Sequence, residues 1–548
     1  TTTPTTTTPT TTTPTTTTPT TTTPTTTTPT TTTPVEEVSL VITDIKVTYA
    51  HDTNANIGWT TNILSNSQIE YGPTPAYGFQ TILDETLVTE HSVMLIGLDP
   101  ETTYYFRVKS ADSIGNTTQS DTFMFTTSKR IIEVSGFISV DSIWESAYNY
   151  LVTEDVLLSQ GTTLTIEPGV IIKFSNETGL YIDGTLKAIG TESDPIIFTS
   201  AQNVPSGLDW GPIYFTEMSE KAQLDESGNY VNGSILKYAV VEYGGWGIYG
   251  NEGALVIESS SPLIEYNTFT NNGKLGISRS SYGIVKIWKN GPSATNAQPI
   301  FRYNTLNNNY ASQILQITRS DDVIIEYNTI CNNEGAAIGA HSCNNIIISN
   351  NLVSENAGGS GSGGATGITC YNSSGIIQFN QIISNSSVGL SGISDYAALY
   401  VQASLSENRL VEVVSNQITG NYSYYDGSGP SGIVAISTKC LVFKNNTVTD
   451  NIVESELPEL PEFQYQKSII NIGDRDNIQF EFTENNIYNN EAPYIIRIVA
   501  GSPYNEVDLS NNYWGTTDES LINSWVYDFY DDYNCSKVIF QPVSASLI

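Results

Sequence analysis

Asn304-Thr-Leu-Asn-Asn-Asn309 is followed at a distance of 24 residues by Asn328-Thr-Ile-Cys-Asn-Asn333, and these two stretches decide the fold. They share the pattern Asn-x-apolar-x-x-Asn, and the pattern recurs. Further copies begin at Asn267, Asn380, Asn416, Asn446 and Asn485, while Asn350-Asn-Leu352 and Asn511-Asn-Tyr513 start alike and then depart. The first Asn recurs every 22 to 39 residues. Such an interval marks the coils of a solenoid with loops of varying length. Each coil must turn sharply between short parallel strands. Asn tolerates the left-handed backbone conformation and hydrogen-bonds locally, so these Asn are expected at the turns. Stacked coils would set their amides in a ladder, which makes each Asn structural. The apolar residue two positions later should point inward. Ile264, Ile300, Ile325 and Ile377 precede their Asn at similar offsets and are expected to form an aliphatic stack.

The earlier coils read differently: Gly161-Thr-Thr-Leu-Thr-Ile-Glu-Pro-Gly169, Gly184-Thr-Leu-Lys-Ala-Ile-Gly190, Asp194-Pro-Ile-Ile-Phe-Thr199, Trp210-Gly-Pro-Ile213 and Val240-Val-Glu-Tyr-Gly244. These runs resemble the opening coils of right-handed parallel β-helix proteins of the pectate-lyase-like kind, found on prokaryotic surfaces. Asn511-Asn-Tyr-Trp-Gly515 resembles their closing coil, with Trp514 over the open end. A cap is needed because an exposed coil edge invites edge-to-edge pairing. The fold class expected is all-β: a right-handed parallel β-helix over residues 129–548, preceded by two other segments.

Residues 35–128 alternate apolar and polar with turn signals between short runs, as in a β-sandwich. Trp59, Tyr71-Gly72, Leu98-Asp-Pro-Glu-Thr-Thr-Tyr104 and Ser110-Ala-Asp112 with Gly115-Asn116 resemble a fibronectin type III domain. The resemblance implies that Tyr104 is the tyrosine-corner residue and that the domain is a spacer; there is no Arg-Gly-Asp loop. Residues 1–34 read TTTP followed by six copies of TTTTP. With no apolar residue they cannot form a core, and Pro every fifth residue favours polyproline II, about 100 Å long if fully extended. Thr beside Pro is a typical O-glycan acceptor, so Thr5, Thr6, Thr7, Thr8, Thr10, Thr11, Thr12 and Thr13 are candidates. Residue 1 lies inside the repeat, so the natural chain is expected to begin earlier.

Against 57 acidic residues stand 22 basic ones, a net charge of −35. That balance excludes nucleic acid and anionic lipid as partners. No apolar run is long enough to span a membrane. The five Cys form no CxxC pair, which disfavours zinc; buried thiols are expected, with room for one disulfide. Ca²⁺ is the one cofactor the acidic patches Asp474–Asp476 and Asp528–Asp532 allow, though neither follows an EF-hand pattern. Asn116, Asn176, Asn232, Asn372, Asn385, Asn421, Asn445 and Asn534 begin N-glycosylation sequons.

β-Helices host many polysaccharide lyases and hydrolases. The resemblance implies a Gly-His-Gly and an Arg-Ile-Lys in polygalacturonase-like enzymes, and neither occurs; Arg497-Ile498 is followed by Val499. The pectate-lyase-like arrangement needs Ca²⁺-binding Asp with a basic residue, and no linear motif supplies it. The remaining catalytic candidates are Arg319, Asp321 and Asp322 on one coil with His341 on the next, where a carboxylate pair, a cation and a base would come together. The reading from sequence is a non-catalytic, glycosylated extracellular subunit of a fibre, surface layer or stalk that self-associates. The alternatives are a secreted polysaccharide lyase or hydrolase with accessory modules, and a carbohydrate-binding adhesin.

Overall fold

A computed structural model describes residues 38–548 except 248–252, 274–282, 292–293, 295, 359–363, 390–394, 404–408, 426–430, 439, 455–466, 474–478, 499–505, 529 and 532–534. The Thr/Pro tract, Asp474–Asp476 and Asn534 lie outside these residues. The chain divides into two compact units, one holding Asn54–Ile96 and Thr103–Thr126, the other Thr127–Ile548.

The first unit is antiparallel. Its long strand Asn54–Gly72 pairs with Ile42–Ala50 and Asp84–Ile96 through its first half, and with Thr103–Ala111 through its second. Alternate residues turn inward, so Ile57, Trp59, Ile69, Phe106 and Val108 are fully buried. Trp59 stacks on His91 with ring centroids 4.7 Å apart, and its indole N–H donates to Ser110 Oγ at 3.1 Å. Tyr104 is buried against Phe125 at 5.7 Å.

The second unit is a right-handed parallel β-helix. One coil shows its plan: strands Ile300–Arg302, Thr305–Asn307 and Tyr310–Thr318 lie on three successive faces, and Ile324–Glu326 returns to the first. The first face stacks 12 parallel strands in register, from Ser142–Trp144 to Gln479–Thr483. Inside runs a single core from Trp144 to Val538. On the first face Leu236, Ile264, Phe301, Ile325, Ile348 and Ile377 stand over one another, all fully buried. Ile300 does not join them. It is half-buried, and Phe301 takes the inward place, because a one-residue slip reverses the direction in which a strand residue points.

Two columns of buried Asn form the corners on either side of the second face. The first column comprises Asn267, Asn304, Asn328, Asn351, Asn380, Asn416, Asn446, Asn485 and Asn512; the second runs from Asn272 through Asn309 and Asn333 to Asn490. Asn304 is representative. Its amide nitrogen donates to Asn328 Oδ1 at 3.1 Å and to Ile264 O at 3.0 Å, while its backbone N–H donates to the same Oδ1 at 2.9 Å. Each amide thereby saturates a corner that would otherwise bury unpaired backbone groups. In the coils begun by Asn350 and Asn511, the column residue is the second Asn, Asn351 or Asn512. The left-handed residue is not the column Asn but the one before it: Tyr266, Tyr303, Tyr327, Asn350, Phe379, Ser415 and Asn445 all have φ near +55°. That conformation costs a side-chain-bearing residue about 1–2 kcal/mol, and the hydrogen bonds of the following Asn offset it.

Candidate functional site on the third face

The outer surface of the third face aligns polar and aromatic side chains of successive coils. In-register pairing brings Glu258, Trp288, Thr318, His341, Tyr371 and Gln402 into one outward row, one residue per coil. All six are at least partly accessible, and Tyr371 is 39% exposed. Beside this row runs a deeper one that includes Tyr214, Lys286, Gln316, Thr369, Asn471 and Arg497. Strand spacing sets successive residues about 4.8 Å apart.

Cross-links join the rows. Tyr214 donates its hydroxyl to Glu258 Oε2 at 2.6 Å and stacks on Tyr181 at 5.7 Å; burial pushes its pKa well above the ordinary tyrosine range. Among the described residues no hydrogen bond engages the other Glu258 oxygen. Lys286 Nζ lies 5.2 Å from the Trp288 ring. Gly339 permits a further link. Because it has no side chain, the Gln313 amide lies across it and meets His341 Nε2 at 2.7 Å. Burial lowers the His341 pKa, which keeps the imidazole neutral. Gln313 Oε1 and Gln316 Oε1 are buried acceptors without a donor. An orphan acceptor costs about 1–3 kcal/mol, and both lie on the same strand, Tyr310–Thr318, closed off from solvent.

The four catalytic candidates from sequence do lie on adjacent coils, with Arg319 N donating to His341 O at 2.9 Å. Their side chains do not converge on one reaction centre. Asp321 accepts from the backbone N–H and amide of Asn344, at 2.7 and 2.9 Å, and Asp322 accepts from Asn345 and Gln298, at 2.7 and 2.9 Å. Both carboxylates are spent holding a turn, while His341 faces the row just described. Nothing in the linear sequence marks Glu258, Lys286 or Gln316 as neighbours, since coil lengths vary. Among the described residues no three His, Cys, Asp or Glu side chains are grouped to hold a metal. No helix among them is long and apolar enough to cross a membrane.

None of the five Cys is joined in a disulfide among the described residues. Burial pushes the Cys343 thiol up to about 11 and the Cys370 thiol up to about 12. Among the sequons, Asn176, Asn232 and Asn445 are exposed, and Asn116 and Asn372 are half-buried. Asn385 and Asn421 are corrected by the structure. Both are fully buried in the second column, and the amide nitrogen a glycan would occupy donates within it.

Residues 136–257 match the family model described as a pectate-lyase like beta helix domain, and residues 241–410 match one described as a right handed beta helix region. Among curated proteins, Protein bark beetle of Drosophila melanogaster is 37% identical over 87 residues, which are 16% of this chain and 3% of that protein. Of the solved structures, the family 28 exopolygalacturonase of Yersinia enterocolitica has 9% identity and a TM-score of 0.23, covering 92% of this chain and 99% of its own. Pectate lyase PelI of Erwinia chrysanthemi, in complex with tetragalacturonic acid, has 7% identity and a TM-score of 0.14, covering 75% and 85%. Those scores are too low to carry an argument, so the likeness rests on the two family models: the stretch 136–410 is similar to the β-helix domains they describe.

Proposed function

We propose that this is a secreted protein that holds an extended polysaccharide along the outer face of the third sheet and cleaves it by elimination. The observation that carries this reading is the continuous outward row from Glu258 to Gln402. A sugar chain supplies hydroxyl donors at intervals, as such a row requires. Elimination needs a carbon made acidic by a neighbouring carboxyl, so the substrate class is a uronate polymer and not a neutral one. Glu258 is the base, with one oxygen held by Tyr214 and the other open. It takes the proton on the carbon next to the uronate carboxyl. That electron pair forms the double bond to the adjacent carbon, whose bond to the glycosidic oxygen breaks, and the departing oxygen takes a proton from water. Hydrolysis by paired carboxylates needs a second acid, and among the described residues the row has only Glu258. Polygalacturonate, alginate and a neutral glucan incubated with the full chain test this. Ultraviolet absorbance of an unsaturated product from a uronate polymer, lowered at least about 100-fold in Glu258→Gln, is the expected result. New reducing ends without unsaturation would mean hydrolysis, and no product from any polymer would reject catalysis.

A second reading is favoured by the paired Asn columns: a non-catalytic, stiff extracellular subunit of a fibre or surface layer. In either reading residues 35–128 act as a fibronectin type III-like spacer, and residues 1–34 as an O-glycosylated rod. The exposed sequons would carry N-glycans. Electron micrographs of native material with a regular subunit repeat would favour the fibre.

A further inference from the structure

The corner between the first and second faces carries a feature that the proposed active face does not use. Tyr238, Tyr266, Tyr303 and Tyr327 stack ring on ring, with centroids 5.0, 4.8 and 5.0 Å apart. Their outer edges face solvent: Tyr266, Tyr303 and Tyr327 are 39%, 40% and 46% exposed. Next to them Thr268, Thr305 and Thr329 form a row of half-buried hydroxyls on the second face. The stack ends abruptly at Tyr238. In the preceding coil the same position is Gly190, where even a Cβ would meet Tyr238 O at 2.4 Å, so that coil adds no ring to the stack. A groove of about 460 Å³ occupies the space, walled by Glu192 and Pro195 and floored by Tyr238, Tyr266, Thr268 and Thr305.

We propose that this groove and the tyrosine edge form a second carbohydrate site, separate from the third face, that takes a neutral β-linked oligosaccharide. A pyranose ring presents an apolar C–H face to an aromatic ring and hydroxyls around its rim. The groove offers both partners, and the ring it receives continues the stack past Tyr238. A cationic ligand is the poorer fit. Lys237 Nζ already lies 5.5 Å from the Tyr238 ring and 5.1 Å from Tyr266, and Arg302 lies 5.9 Å from Tyr303. A uronate is disfavoured by Glu192 in the wall. The site stands whether or not the third face is catalytic.

The test is titration of the full chain with neutral hexasaccharides (cellohexaose, xylohexaose, mannohexaose) and with hexagalacturonate, followed by calorimetry and saturation-transfer NMR. The expected result is that a neutral hexasaccharide binds with transfer to its ring C–H protons, and that Tyr238→Ala weakens it about tenfold or more. Glu258→Gln leaves that binding unchanged. Thr305→Arg, which plugs the groove from a surface position without touching the stack, gives the same loss if Tyr238→Ala proves unstable. Failure of all three neutral sugars to bind, or full affinity in both groove variants, overturns the proposal. Binding of hexagalacturonate alone, lost in Glu258→Gln, also overturns it while supporting the active face.

Discussion

At the scale of the residue, the column Asn do more than decorate a turn. Asn328 donates its amide to Phe301 O and to Asn351 Oδ1, both at 3.0 Å, and accepts from Asn304. Asn328→Ala removes the amide and leaves buried donors and acceptors on both neighbouring coils unpaired. We expect a loss of about 3 kcal/mol, read from the denaturant midpoint of the β-helix. The residue before a column Asn responds oppositely. Ser384 sits at φ 56° with no side-chain hydrogen bond among the described residues, and the next coil already uses Gly420 at φ 64°. Ser384→Gly should therefore stabilise by about 0.5–1 kcal/mol, seen as a raised midpoint. The same column logic bears on glycosylation. Peptide mapping of the native protein should find Asn385 and Asn421 bare, since a glycan there would break the second column.

At the scale of the element, buried polar groups set the response to pH. In the antiparallel unit His91 is buried among three hydroxyls: Thr61 at 2.9 Å, Ser65 at 3.4 Å and Ser67 at 2.8 Å. Burial lowers its pKa below the ordinary 6.5. The unfolded chain therefore binds the proton more readily. His91's contribution to stability is present above the ordinary value and is lost as pH falls through the lower folded value. The first unit should melt earlier at about pH 5 than at neutral pH, and His91→Gln should flatten that dependence in calorimetric scans. How far such elements could be read from sequence depended on spacing. The parallel β-helix and its corners were legible because Asn-x-apolar-x-x-Asn holds a three-residue strand between two fixed turns. The inward residue near position 300 was not, since Ile300 and Phe301 are both apolar and only register with Ile264 chooses between them. Left-handed tyrosines were missed because local propensity favours Asn there, and the tertiary hydrogen bonds of the next residue override it. The outward row was invisible for a different reason: Glu258 and Trp288 are 30 residues apart and Thr318 and His341 only 23, so no constant period aligns them.

At the scale of the whole molecule, a solenoid coil touches only its neighbours, and stability is close to a sum of coil and interface terms. That makes the β-helix tolerant of losing one complete coil and intolerant of losing part of one. Column contacts run from Asn304 to Asn328 and from Asn328 to Asn351, and in the second column from Asn309 to Asn333 and from Asn333 to Asn356. Removing residues 328–350 joins Tyr327 to Asn351 and brings Asn351 under Asn304 and Asn356 under Asn309, with the inward stack continuing from Ile325 to Ile377. This shortened chain should fold, with unchanged circular dichroism per residue and a modestly lower midpoint. Removing only residues 328–338 puts Gly339 under Asn304 and ends the first column there, while Asn344 falls under Asn309 and the coil that follows is out of register, so the chain should fail to fold beyond that point and become protease-sensitive on its C-terminal side. The whole-coil deletion also removes His341 from the outward row, yet leaves Glu258 and Tyr214 in place. It should lengthen or shorten the products of the third face without abolishing cleavage, and should leave binding at the Tyr238 groove intact. Equal folding of the two deletions would show that the columns do not set the register of the coils.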